Sequence, residues 1–194
     1  VVERVKKLIR TNSDDNVKKL EDLKGTNILK ELELLHKEGI EFIEPSDLSG
    51  AIRGRHNLYA HLETVIKQAT KSVTLMTTAK GLVRKVDALK PELEKLAKKG
   101  VKIRIAAPIT KESSSVVKDL SKIADVRNTT KINSRFCIVD GKEIVFMVKD
   151  DNDVHPSYDI GIWINTPFFA TALTSMFELA WKDMESATKV INKV

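Results

Sequence analysis

The chain has 194 residues, 42% of them hydrophobic, which is enough for one sizeable core plus an appendage and too apolar for wholesale disorder. Its charge is uneven: residues 1–50 carry 9 basic and 11 acidic side chains, residues 51–104 carry 13 and 4, and residues 105–194 carry 11 and 12, so the middle segment supplies the whole net excess of +6. No stretch reaches the roughly 18 apolar residues of a membrane span, no secretory leader opens the chain, and a single cysteine, Cys137, excludes an internal disulfide framework, so a reducing, cytoplasmic setting is expected.

Residues 1–39 read as helical and separate from the rest. Val2, Val5, Leu8 and Ile9 recur at helical spacing, Ser13-Asp14-Asp15 breaks the run and can cap a second helix, and Val17, Leu20, Leu23, Ile28, Leu32 and Leu35 continue the stripe past Gly25 to a stop at Gly39. Such a helix has little stability alone, so its stripe is expected to pack on a second copy in a dimer, or on the main domain. The first residue is Val1 rather than Met, as in a fragment of a longer protein. Residues 40–54, with Pro45, Gly50 and Gly54, read as a linker, giving a division into a helical segment 1–50 and a domain 51–194.

Beyond the linker, helices and strands alternate. Leu58, Leu62, Val65, Ile66 and Ala69 form one helical face; Val73–Thr78 reads as a buried strand; Pro91 suits the first turn of a helix carrying Leu93 and Leu96 and closed by Gly100. A strand at Val101–Ile105 follows, then a helix capped by Thr110, then a short strand at Asp125–Asn128. Two strands, Asn133–Val139 and Glu143–Val148, flank Asp140-Gly141, a strong hairpin signal. After a polar loop at 150–157 come a strand, Asp159–Ile164, and a last helix with Thr166 as cap, Pro167 in its first turn, and Leu173, Met176, Phe177, Ala180, Trp181 and Met184 on its apolar face. The order predicts an α/β fold: a mixed sheet flanked by helices and preceded by a helical linker.

Few motifs carry chemistry. His56 and His61 are five apart, no second cysteine exists, and Asp150, Asp151 and Asp153 lack the Gly and Glu that complete a calcium loop, so neither a metal nor a cofactor is expected. Lys95, Lys98 and Lys99 read as a solvated helix face. Arg53-Gly54-Arg55 puts two guanidinium groups at a helix N-terminus, where they either hold an anion or pin the linker. Thr77, Thr78 and Lys80 end the first core strand, a common place for ligand loops in α/β sheets.

The hairpin is the most informative segment. Asn133-Ser134-Arg135-Phe136-Cys137-Ile138-Val139-Asp140-Gly141 resembles the signature strand of the phospholipase D superfamily, in which a His, a Lys two residues on and an Asp seven residues on stand in a strand entering an Ile-Val-Asp-Gly turn. The corresponding positions here are Asn133, Arg135 and Asp140. In that superfamily the His attacks phosphorus; an amide has no basic nitrogen for this, and losing the nucleophile removes the covalent route. Arg135 keeps a cation, so the pair reads as a site turned from chemistry to binding, with exposed strand polars as the alternative.

A decayed strand of this kind, Arg53-Gly54-Arg55 before an apolar-faced helix, and Tyr158-Asp159-Ile160-Gly161-Ile162-Trp163 before a helix with Phe177 and Trp181 together resemble the TrmB-like archaeal transcriptional regulators. The resemblance covers about residues 50–185. It implies a non-catalytic effector-sensing domain, a small-molecule effector (a sugar or anionic metabolite) and a winged-helix DNA-binding domain outside this chain. A single phospholipase-D-like unit has half of a two-fold site, so a homodimer with the Asn133–Arg135 strands facing is expected, and the lack of an apolar span predicts no membrane partner. Asn133, Arg135, Arg53, Arg55, Thr77, Thr78 and Lys80 are the expected ligand contacts. The rival readings are a phosphodiesterase or nuclease of the superfamily, and direct nucleic-acid binding through the basic segment 51–104.

Overall fold

In a computed structural model of the chain, which describes residues 2–23, 27, 33, 45–150, 152 and 154–192, the hydrophobic periodicity of the sequence resolves into helices laid on a mixed sheet. The chain divides into two units, Val1–Ile43 and Glu44–Val194. In the first, helix α1 (Val2–Leu23) is continuous through Ser13-Asp14-Asp15, where a break was expected. Each polar residue there costs only about 0.7 kcal/mol or less of helix propensity relative to Ala, too little to end a helix already propagating. Val2, Val5, Ile9 and Val17 are exposed along it. Ile28, Leu32, Leu35, Gly25 and Gly39, the rest of the expected stripe and its stop, lie outside the described residues.

The second unit runs α2 (Pro45–Leu48), β1 (Ser49–Arg53), α3 (Arg55–Lys67), β2 (Ser72–Met76), α4 (Ala79–Lys98), β3 (Lys102–Ala107), α5 (Ser114–Leu120), β4 (Asp125–Asn128), β5 (Phe136–Val139), β6 (Glu143–Met147), a 3-10 turn (Pro156–Tyr158), β7 (Ile160–Asn165), α6 (Pro167–Lys182), β8 (Glu185–Ser186) and α7 (Ala187–Ile191). The eight strands form one sheet in the order β1-β7-β6-β5-β2-β3-β4-β8. Only β2–β3 and β3–β4 pair in parallel, the crossovers being α4 and α5. Alternation along each strand splits the side chains between two faces. Val73, Leu75, Ile103, Ile105, Cys137, Val139 and Val145 join α3, α4, α5 and α7 in the large core, whereas Met76, Ala106, Phe136, Ile138 and Ile144 pack with Ala170, Phe177 and Trp181 of α6, with Leu173 and Met184 at the margin. Burial pushes the Cys137 thiol up to about 12, consistent with an inert core residue.

Several expectations are corrected. Ser49–Arg53, read as linker, is an edge strand paired antiparallel with β7, from Ser49↔Ile164 to Arg53↔Ile160. Pro91 lies inside α4, not in its first turn; Leu82, Val86, Leu89, Leu93 and Leu96 form one buried stripe whose packing outweighs the hydrogen bond that proline removes. The N-cap of α4 is Thr78, whose Oγ1 accepts from Gly81 N at 2.9 Å. α5 begins at Ser114, because Thr110–Ser113 close a separate turn through Ser113 N to Thr110 O, 3.2 Å. Met176 is 68% exposed rather than on the buried face of α6 with Phe177 and Trp181, and β8 and α7 follow that helix. The hairpin turn is as expected: Asp140 (φ 54°) and Gly141 (φ 64°) are both left-handed, and Lys142 N donates to Val139 O at 3.0 Å.

Close approach fixes one glycine. A Cβ on Gly161 of β7 would stand 2.2 Å from Leu58 Cδ2 and 3.3 Å from Phe146 O. Leu58 is fully buried and has no room to retreat. Gly161→Ala is expected to cost about 1–3 kcal/mol as overpacking, measured by urea unfolding; a shallow Leu58→Ala background should absorb most of that cost, and a purely additive double mutant would contradict the contact.

Candidate functional site at one end of the sheet

Strand register places the expected site residues along a single end of the sheet. Met76 pairs with Phe136 and Phe136 with Phe146, while Met147 pairs with Gly161 and Ile160 with Arg53. The residues just beyond these pairs therefore converge: Thr77 and Thr78 after β2, Arg135 before β5, Lys149 after β6, Asp159 before β7, and Arg55 after β1. Asp140, the third position of the signature, sits at the opposite end. There its carboxylate accepts four bonds of 2.8 Å, from Thr70 N, Thr70 Oγ1, Lys71 N and Ser72 N, and so staples the hairpin turn to the start of β2. Burial would raise its carboxyl, but these donors hold it below the ordinary range.

The hub of the convergent end is Asp159, fully buried. Arg135 grips it in a fork, NH1 to Oδ1 at 3.1 Å and NH2 to Oδ2 at 2.8 Å, and donates again to Lys149 O at 2.6 Å. Arg55 Nε reaches Asp159 Oδ2 at 3.0 Å, and its NH2 reaches Val154 O at 3.4 Å. The Asp159 carbonyl accepts from Gly54 N at 2.7 Å, so the acid also ties down the Arg53-Gly54-Arg55 segment, whose Gly54 has φ 91° and favours glycine. Desolvation alone would raise the Asp159 carboxyl; the hydrogen bonds and charges of Arg135 and Arg55 outweigh it and hold the group ionised below the usual carboxylate range.

The expected contacts thus separate into two sets. Arg135, Arg55, Thr77 and Thr78 are engaged internally: Thr77 Oγ1 accepts from the buried Lys85 Nζ at 2.9 Å, and Thr78 caps α4. Arg53, Lys80 and Asn133 are exposed. Arg53 lies 4.9 Å above the Tyr158 ring, and Asn133 Nδ2 donates to Asp150 Oδ2 at 2.7 Å. Asn133 and Arg135 do not share a strand face: β5 begins only at Phe136, and Arg135 is buried where Asn133 is open. The cleft they line with Met147 and Asp150 is about 150 Å3, below the roughly 300–1,000 Å3 of sites that enclose a metabolite. Larger hollows lie elsewhere on this unit, about 570 Å3 beside Arg53 and His56, about 470 Å3 beside Lys80 and Thr110, and about 370 Å3 beside Asn128, Lys131 and Asp183.

Chemically, the place of a phosphorus-attacking nucleophile holds an amide, and the neighbouring cation is already neutralised by a buried carboxylate. Asp159 and Lys85 are the functional-end residues that sequence reasoning did not pick out. The signal for Asp159 was present: an acid beside Tyr158 at the start of an apolar strand, in a chain whose two unexplained arginines needed a counter-ion.

Comparisons with known proteins agree with this geometry. The family described as "Transcriptional regulator TrmB, EBD N-terminal subdomain" matches residues 50–187. No curated protein matches by sequence. Among solved structures, TrmBL2, described as an archaeal chromatin protein with a novel mode of DNA binding, is 20% identical with TM-score 0.61, over 94% of this chain and 70% of that one. NucT from Helicobacter pylori is 14% identical with TM-score 0.55, over 71% of this chain and 98% of that one. The phospholipase D family member Nuc from Salmonella typhimurium gives 14% and 0.55, over 71% and 97%. At these identities the structural likenesses establish the phospholipase-D-like fold.

Proposed function

Given that the chain belongs to the TrmB family of transcriptional regulators, we propose that it is the effector-sensing and dimerising part of such a regulator, without catalytic activity. One observation carries this reading: the cation that would meet a substrate phosphate is buried and forked onto Asp159, beside an amide in place of a nucleophile. A guanidinium already paired in a dry site has little charge left for an incoming phosphodiester. The same bonds suit a sensor. Asp159 ties the turn between β1 and α3 to the start of β5 and the end of β6, so a ligand that shifts one of these segments is felt by the others.

In this reading Arg53 and Lys80 touch a sugar or an anionic metabolite in the larger hollows beside them and Asn133 contacts it only at the surface of the smaller cleft, while Arg55, Arg135, Thr77 and Thr78 hold the rim from behind. Two copies act together in the cytoplasm, and a winged-helix domain of the same protein reads DNA. The exposed apolar residues of α1 support pairing of copies. The test is hydrolysis of bis(p-nitrophenyl) phosphate by the wild-type chain and by Asn133→His. Neither is expected to turn over, because restoring an imidazole leaves Arg135 sequestered; turnover by the wild type would overturn the reading. A thermal-shift screen of sugars, phosphorylated metabolites and nucleotides then identifies the effector, since a ligand of the folded state raises the melting temperature.

A further inference from the structure

α6 is amphipathic with two apolar faces, and only one of them is buried. Ala170, Phe177 and Trp181 fill the small core, but Phe168 is 87% exposed, Leu179 69%, Met176 68% and Phe169 45%. Between Phe168 and Leu179 the outward face carries no charge: Thr171, Ala172 and Ser175 complete it. Glu178, the one acid in that span, stands at the margin of this face with its side chain 45% exposed, and its charge is met by Arg104. Ser175 Oγ donates to Thr171 O at 3.0 Å and Thr174 Oγ1 to Ala170 O at 2.7 Å, so both hydroxyls are satisfied within the helix and covering the face strands neither. An uncharged helix face of this size marks an interaction surface.

From this face we infer that α6 is a two-fold interface, packed antiparallel against α6 of a second copy of this chain, an inference that rests on the dimer reading above and locates it. The occupant follows from the order of residues. Phe168, Ala172, Ser175 and Leu179 are spaced 4-3-4, the seam of a coiled-coil contact. The seam is symmetric in size about a point between Leu173 and Thr174: large ends, small centre. An antiparallel two-fold sets Phe168 against the partner's Leu179 and Ala172 against the partner's Ser175, with Met176 over the partner's Thr171. The small centre permits the close helix approach of about 8 Å at which such pairs interlock. The exposed Phe168, Phe169, Met176 and Leu179 offer on the order of 400–500 Å2, judged from the roughly 150–250 Å2 that a large side chain buries. That is at least half of the roughly 800 Å2 per partner of a stable interface. Nucleic acid and an anionic membrane surface fit poorly, because both require cations that the face lacks.

Sedimentation of the full 194-residue chain tests this together with disulfide trapping. Met176→Glu is expected to raise the dimer dissociation constant at least tenfold with an unchanged circular dichroism spectrum. An oxidised mixture of Phe168→Cys and Leu179→Cys chains should give a covalent dimer, while Phe168→Cys alone should not, since symmetry-related 168 positions stand about 16 Å apart along an antiparallel pair. Cys137, buried and held as a thiol, does not compete. A wild-type dimer that neither cross-links nor responds to Met176→Glu overturns the α6 interface and leaves dimerisation through another surface such as α1. Cross-linking of Phe168→Cys to itself also overturns it. A wild-type monomer at high micromolar concentration sinks both the interface and the dimer reading. Should Met176→Glu not fold, the cysteine mixture decides alone.

Discussion

Replacing Asp159 with alanine is expected to destabilise the protein by about 3–5 kcal/mol, the cost of stranding a buried charge by removing its partner. Arg135 bears most of it. Its side chain is 3% exposed, so without the carboxylate only Lys149 O remains to it, and its Nε already lacks a partner. Arg55, with a side chain 13% exposed, can turn toward water and loses less. Removing both members should therefore be far milder than removing one: Asp159→Leu with Arg135→Met is expected to recover most of the loss, because apolar isosteres of a buried pair are often neutral. Urea unfolding of the two single variants and the double variant measures the coupling; additive losses would mean that the two groups do not share their burial cost.

The pH dependence has a definite sign. The folded-state carboxyl of Asp159 is held below its unfolded value, so the unfolded chain takes up protons first as pH falls. The stabilisation is complete above the unfolded value of about 3.9 and drains away as pH drops through the lower folded value. Asp159→Asn should flatten the acid limb of stability against pH, not the limb above neutrality. Part of the slope should persist, because Asp140 is depressed in the same direction by its four donors at the other end of the sheet.

How much of this was legible beforehand follows from the range of the interactions. Where one element buries one face, periodicity suffices: the Leu58–Leu62–Val65–Ile66 face, the Ile103–Ile105 strand and the Asp140-Gly141 turn are local and read correctly. Where tertiary packing overrides a local rule, reading fails. Pro91 looks like a helix start because proline suits the first turn, but the buried stripe from Leu82 to Leu96 carries the helix straight through it. Ser49–Arg53 looks like linker because Gly50 and small residues blunt its pattern; β7, more than a hundred residues away, makes it a strand. β8 and α7 are too short to have a period at all.

The site shows the same division. Asn133, Arg135 and Asp140 were found by their spacing, which is a property of one strand. Their condition was not, since it depends on partners brought in by register: Asp159 reaches Arg135 only because β6 pairs with both β5 and β7, and Thr70–Ser72 reach Asp140 only because β2 pairs with β5. A sequence motif names the atoms present; the charge state and accessibility of those atoms are set by neighbours in the sheet.

Trp181→Ala is expected to be as damaging as the loss of Asp159, about 3–5 kcal/mol for a large aromatic deleted from a core, because among the described residues α6 and Met184 cover that face of the sheet. The ring is 6% exposed and lies 5.1 Å from the Phe177 ring. Two guanidinium groups lie over it, Arg127 at 4.6 Å and Arg104 at 5.7 Å, and Arg127 NH1 also donates to Trp181 O at 2.9 Å. Both arginines have a buried Nε without a partner, so the ring also serves as the apolar and quadrupolar lid that makes their burial tolerable. Alanine would open a cavity and wet both cations. For a unit of about 150 residues the melting temperature should fall by about 10 °C, at 2–4 °C per kcal/mol, with Trp181→Phe recovering part of the loss. Because the outward stripe is carried on the same helix, dimer affinity should fall along with stability, whereas Met176→Glu should lower affinity alone. Trp181→Ala melting within a degree or two of wild type would show that α6 is not held to the sheet by this layer, and the two-fold seam would then lack the rigid backing it needs.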